Sequence, residues 1–270
     1  TNGCNWQQVS LSLASIGGDV YEAKTGNANK VVTENDLTKL DTYIESQFRS
    51  QPDTTGYASY AWFSTAINRP IGVQGPPIPT DKLFGANRSI PVTQADFQFV
   101  SRIIERLRAG KYRVTNFKWT IVPTTQINSS SFPNPPFVFV YSSMLDFLNR
   151  NPDEMAFVIG HEIGHTIDAN TCSGSGVATN ASFGIPLIQD QWWKFCENHA
   201  DNIGLQLMSG AGYNPRAAIT VFQKLEALQL KQGVPDMKDF FGNHPLNSSR
   251  IKNVEKLLPI IEKQVGKLGE

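Results

Sequence analysis

Residues 161–165 read His-Glu-Ile-Gly-His, shortly after Asn151-Pro152-Asp153-Glu154. The upstream tetrad is a helix start. Asn caps, Pro takes the first helical position where its missing N–H costs nothing, and Glu154 at the third can reach back to the cap. It predicts a helix running to about Asp168. Positions i and i+4 of a helix lie about 40° apart on one face, so His161 and His165 can reach the same ion. Neutral imidazole suits zinc. Glu162 projects beside that ion without ligating it and can accept a proton from water there. The plain alternative is an ordinary helix face with two surface histidines. A chain with four His and 11 Glu gives this pentad by chance about 0.002 times.

Two histidines leave a hydrolytic site incomplete, because a third protein ligand and an open position for water are needed. Glu197-Asn198-His199-Ala200-Asp201 falls in a second helix expected over about 187–209. Glu197 and Asp201 share one face. Glu197 can ligate, and Asp201 can accept the free N–H of a ligand histidine. His199 points elsewhere and reads as structural or solvated.

The pattern around these helices predicts an α+β fold, mostly helical, with a small sheet before the His-Glu helix. Helices are expected over about 34–49, from a Thr93 cap to Gly110, from Asn214-Pro215 to about Lys231, and over about 247–265. Alternation at 117–122 and the run Phe137-Val138-Phe139-Val140-Tyr141 read as strands, with a short helix around Met144 to Leu148. Residues 51–92 hold six prolines among many glycines and aromatics and read as an ordered loop packed over the body. The expected organisation is an N-terminal extension over 1–92 packed on a domain over 93–270 that carries the His-Glu pentad, in one compact unit.

The chain has 270 residues, enough to bury a core without staples. Lys plus Arg equals Asp plus Glu at 24 each, so there is no electrostatic footprint for nucleic acid. No run of about 18 apolar residues exists, so no transmembrane segment is expected. Cys4, Cys172 and Cys196 contain no Cys-x-x-Cys pair, which argues against a thiolate zinc site. Cys172 and Cys196 are either two free buried thiols or a disulfide, and a disulfide favours a place outside the cytosol. Cys4 has only a faint likeness to a lipoprotein attachment site.

Three segments together carry a resemblance: HEIGH, then ENHADNIGLQLMSGAGYNPRAA, then HPLNSSRI. They resemble the HtpX/CaaX-protease-like (Ste-type) zinc metallopeptidases of the glutamate-zincin group, over about residues 93–260. The resemblance implies a zincin-like fold and one zinc per chain, held by His161, His165 and Glu197. Glu162 would be the base. Asp201 would orient His161, His244 would stabilise the oxyanion, and Arg250 would support the ligand set from behind. Asn128 and the strand at 137–141 sit where the family places its Asn and edge strand, and that strand would pair with the backbone of an extended peptide or protein substrate. One departure is Ser129-Ser130-Ser131-Phe132 after Asn128, where the family carries a small-aromatic-small run. With no membrane span, the expected place is extracytoplasmic, either periplasmic or secreted, with membrane association left open. The implied function is zinc-dependent endopeptidase. The rival is a zinc-binding, non-proteolytic chaperone or assembly factor of the same fold.

Overall fold

A computed structural model gives the fold and describes residues 33–59, 62, 91–167, 186–232 and 248–268. Cys4, Cys172, His244, the loop 170–184 and most of the proline-rich stretch lie outside the described residues.

Local sequence sets the first two helices. In α1 (Glu34–Arg49) the Thr33 side chain accepts from the Asp36 N–H while Asp36 accepts from the Thr33 N–H. The same box closes the start of α2 (Gln94–Ala109) through Thr93 and Asp96. Such caps satisfy backbone donors that the first turn leaves orphaned. Leu37, Leu40, Ile44 and Phe48 of α1 join Val100, Ile103, Ile104 and Leu107 of α2 in a single hydrophobic core.

The sheet comprises β1 (Gly56–Tyr57), β2 (Lys118–Val122), β3 (Ser129–Pro133) and β4 (Pro136–Tyr141), in the order β1-β2-β4-β3. β1 and β4 both pair parallel to β2, and β3 pairs antiparallel to β4. The two residues of β1 dock by aromatics: the Tyr57 ring stands edge-on to Phe97 at 5.2 Å and to Trp119 at 5.5 Å.

This topology corrects one expectation. Phe137, Val138, Phe139, Val140 and Tyr141 do not offer an open edge. β4 is laddered to β2 on one side and to β3 on the other, so its backbone groups are already committed. All five residues are buried. The edge on this side of the sheet is β3.

After the short helix α3 (Ser142–Phe147) comes α4 (Pro152–Ile167), which carries the His-Glu pentad. Asn151 Oδ1 accepts the N–H groups of Asp153 and Glu154 at 3.0 and 3.2 Å. Glu154 does not reach back to the cap; both of its oxygens accept from Lys224 Nζ, at 2.9 and 2.6 Å. Nearly every side of α4 is buried, the pattern of a central helix. Its long-range partner is α5 (Pro186–Gly210), followed by α6 (Ala217–Gln232) and α7 (Ser248–Leu268).

Small residues bring α4 and α5 into backbone contact. A Cβ on Gly204 would stand 2.8 Å from the His161 nitrogen, one on Gly160 3.1 Å from Gly204 Cα, and one on Gly164 3.0 Å from Ala200 Cα. At Gly204 a Cβ would force the backbone to shift, and at Gly160 and Gly164 the neighbouring helix would have to yield by a few tenths of an ångström. The α5 exit is fixed by Gly212 at φ 75°, whose carbonyl, with that of Ala211, accepts from Arg106. No helix among the described residues is long and apolar enough to cross a membrane.

Candidate metal centre

The crossing of α4 and α5 decides where the polar residues meet. His161 and His165 lie one turn apart on the face of α4 that meets α5, and Glu197 faces them from α5. His161 Nε2 and His165 Nε2 are 3.0 Å apart. Glu197 Oε2 stands 3.5 Å from His161 Nε2, and Glu197 Oε1 stands 3.4 Å from His165 Nε2. Tetrahedral zinc with bonds near 2.0–2.1 Å places its ligand atoms about 3.3 Å apart. The three donors therefore already have the spacing of one face of such a tetrahedron, and the set of two imidazoles and one carboxylate is a catalytic zinc set.

The electrostatics favour a divalent ion. Glu162, Glu197 and Asp201 are buried, and Arg250 is the buried cation among them. With the carboxylates ionised and the histidines neutral, the cluster carries two more negative charges than positive ones. Uncompensated buried charge is costly, and a doubly charged cation removes the excess.

Behind these donors runs a chain of hydrogen bonds. His161 Nδ1–H donates to Asp201 Oδ1 at 2.8 Å, which turns the Nε2 lone pair toward the other donors. Arg250 donates Nε–H to Asp201 Oδ2 at 2.7 Å and Nη2–H to Oδ1 at 2.6 Å, and its Nη1 lies 2.9 Å from Glu197 Oε2. Burial pushes the His161 imidazole below its ordinary value, against the opposing pull of Asp201, so it is held in the neutral form that ligates. Burial would raise the Asp201 carboxyl, but the charge and hydrogen bonds of Arg250 outweigh it and hold the group below the usual carboxylate range.

Glu162 is buried and lines a pocket beside His161. Met144, Phe157, Val158, Val221, Phe222 and Leu225 form the apolar wall of that pocket, and Asn128, Ser129 and Arg250 complete it. The α6 residues Val221, Phe222 and Leu225 did not stand out in the sequence. An apolar periodicity marks a buried face without saying that the face borders a site.

His199 is fully buried, with its ring 5.8 Å from that of Tyr43 on α1, away from the donors. Cys196 is buried, while Cys172 lies outside the described residues, as does His244.

Comparison with known proteins agrees with this geometry. The model of peptidase family M48 matches residues 95–177 and 173–258. The mitochondrial metalloendopeptidase OMA1 of Arabidopsis thaliana is 28% identical over 194 residues, covering 61% of this chain and 38% of the relative. OMA1 of Saccharomyces cerevisiae is 29% identical over 167 residues, covering 53% and 48%. Metalloprotease LoiP of Escherichia coli is 27% identical over 138 residues, covering 43% and 52%. The chain thus spans about half the length of the curated relatives it matches, or less. The periplasmic or secreted placement is overturned: the OMA1 relatives from plant, yeast and mammal are mitochondrial by name. That placement leaned on a possible cysteine pair and a missing apolar span, and neither distinguishes a secreted protein from an organellar one. On the strength of a family match that covers most of the chain, the protein belongs to peptidase family M48.

Proposed function

We propose that this protein is a zinc-dependent endopeptidase, with His161, His165 and Glu197 as the zinc ligands and Glu162 as the general base. The observation that carries the reading is the mutual spacing of the three donor atoms, with the Glu162 carboxylate in the pocket next to them. Zinc bound there would polarise a peptide carbonyl and acidify a water molecule. Glu162 would act as the base for water at this site and return the proton to the leaving amine. Asp201 and Arg250 hold His161 and Glu197 in place, as partners of this kind do in zinc sites. His244 donates to the oxyanion, a role that rests on the family resemblance. The relatives' names favour an OMA1- or LoiP-like branch of the family over the HtpX/Ste-type branch that the motifs suggest.

Extended substrate meets the sheet at the β3 edge, by strand addition, because β4 has none to offer. The segment 33–59 and the metallopeptidase part form one unit, supported by the cores of α1 and α2 merging. Cys196 pairs with Cys172 across the loop between the ligand-bearing helices, and non-reducing peptide mapping checks that bridge.

The decisive experiment is metal analysis coupled to casein hydrolysis. One zinc per chain is expected, with cleavage lost on chelation and restored by zinc. Cleavage that persists in fully metal-free protein overturns the reading.

A further inference from the structure

Ser129 stands at the entry to β3, directly after Asn128, and lines the pocket that His161 and Glu162 border. Its side chain is 2% exposed, and its Oγ has no hydrogen-bond partner among the described residues. A hydroxyl buried without a partner costs free energy. Such a group in a native fold calls for an explanation, and a ligand that supplies the missing bond is one.

The surroundings say what kind of ligand. Phe157, Val221 and Phe222 give the pocket an apolar wall. Arg250 is committed to Asp201 and Glu197, and His161 to Asp201. A serine hydroxyl both donates and accepts. The group that matches it, while its carbon skeleton contacts apolar walls, is a small side chain carrying one methyl and one hydroxyl.

We propose that Ser129 is a specificity-determining residue, whose buried hydroxyl selects peptide substrates with threonine over isosteric valine at the residue that enters this pocket beside the scissile bond. The inference rests on the endopeptidase reading. A site built to hydrogen-bond a substrate hydroxyl rejects the analogue lacking it, because the buried polar group is then left unpaired. A purely apolar pocket barely separates the two.

The test uses the full zinc-loaded chain and peptide pairs differing only in Thr or Val next to the cleaved bond. The wild-type kcat/KM should favour Thr by about tenfold, the worth of one buried hydrogen bond. Ser129→Ala should abolish that preference by losing rate on the Thr peptide relative to the Val peptide, with zinc content and thermal midpoint near wild type. Ser129→Cys, which keeps a weak donor, should fall between. Equilibrium binding of the same pair to Glu162→Gln protein gives the preference without turnover. The same Thr/Val ratio in wild type and Ser129→Ala overturns this proposal and leaves the endopeptidase reading standing. Absence of zinc-dependent cleavage of either peptide by wild type overturns both.

Discussion

Arg250 holds Asp201 with a two-pronged grip, Nε to Oδ2 at 2.7 Å and Nη2 to Oδ1 at 2.6 Å, across 49 positions of sequence. The planar fork of a guanidinium matches a carboxylate in a way an ammonium cannot. Arg250→Lys keeps the charge and loses the fork. It should fold, and bind zinc about 10- to 100-fold more weakly, the usual loss when a partner behind a ligand is removed. Competition against a chromophoric chelator measures this. Zinc affinity equal to wild type would mean that Asp201 does not depend on Arg250 to orient His161. Arg250→Leu strands two buried carboxylates and should cost about 3–5 kcal/mol of stability, read from urea midpoints.

Glu162→Gln separates binding from turnover. The amide has the same shape, is not one of the three converging donors, and cannot take a proton. Zinc stoichiometry should be unchanged while kcat for casein falls by about 10² or more, the scale of a lost general base. A wild-type rate in this variant would assign the base elsewhere.

Gly204→Ala tests the helix crossing. Alanine improves helix propensity by about 1 kcal/mol, but its Cβ would stand 2.8 Å from the His161 backbone nitrogen. Backbone cannot yield as a flexible side chain can, so we expect a net loss of about 1–3 kcal/mol from overpacking, together with weakened zinc binding. A variant more stable than wild type would show that the crossing is looser than described.

Asp96 predicts an acid-sensitive contribution to stability. Burial alone would raise its carboxyl; the bonds from Arg150 and Thr93 outweigh burial and hold it below the ordinary aspartate value. A depressed folded value means the stabilisation is fully present above the ordinary aspartate range and lost as pH falls through the folded value. Arg150 is 44% exposed, so solvent screens part of its contribution. Asp96→Ala should cost about 1 kcal/mol at neutral pH, and the gap should shrink in acid below the ordinary aspartate range. Urea midpoints of both proteins at neutral and acid pH decide it. A gap independent of pH removes the ionised carboxylate from the account.

The helices were legible because their signals are local. Thr33, Thr93 and Asn151 announce helix starts within four residues, and Gly110 announces a stop. The grouping of His161, His165 and Glu197 was legible because residues at i and i+4 share one helix face. β3 was not legible: Ser129-Ser130-Ser131 has low strand propensity, and its order comes from pairing with β4. The inner position of β4 was hidden for a related reason, since a strand's own residues do not say how many neighbours it has. Arg250 could be assigned only through resemblance, because nothing local links it to Asp201.

The contact between Gly160, Gly164, Gly204 and Ala200 has a consequence for control. Two helices that touch backbone to backbone cannot slip past one another by a turn without tearing the seam between them. The donors are thereby set by main chain instead of by adjustable side chains, and loading or stripping the ion should leave the two helices where they are. A signal that alters such a centre has little room to do so by sliding one helix along the other.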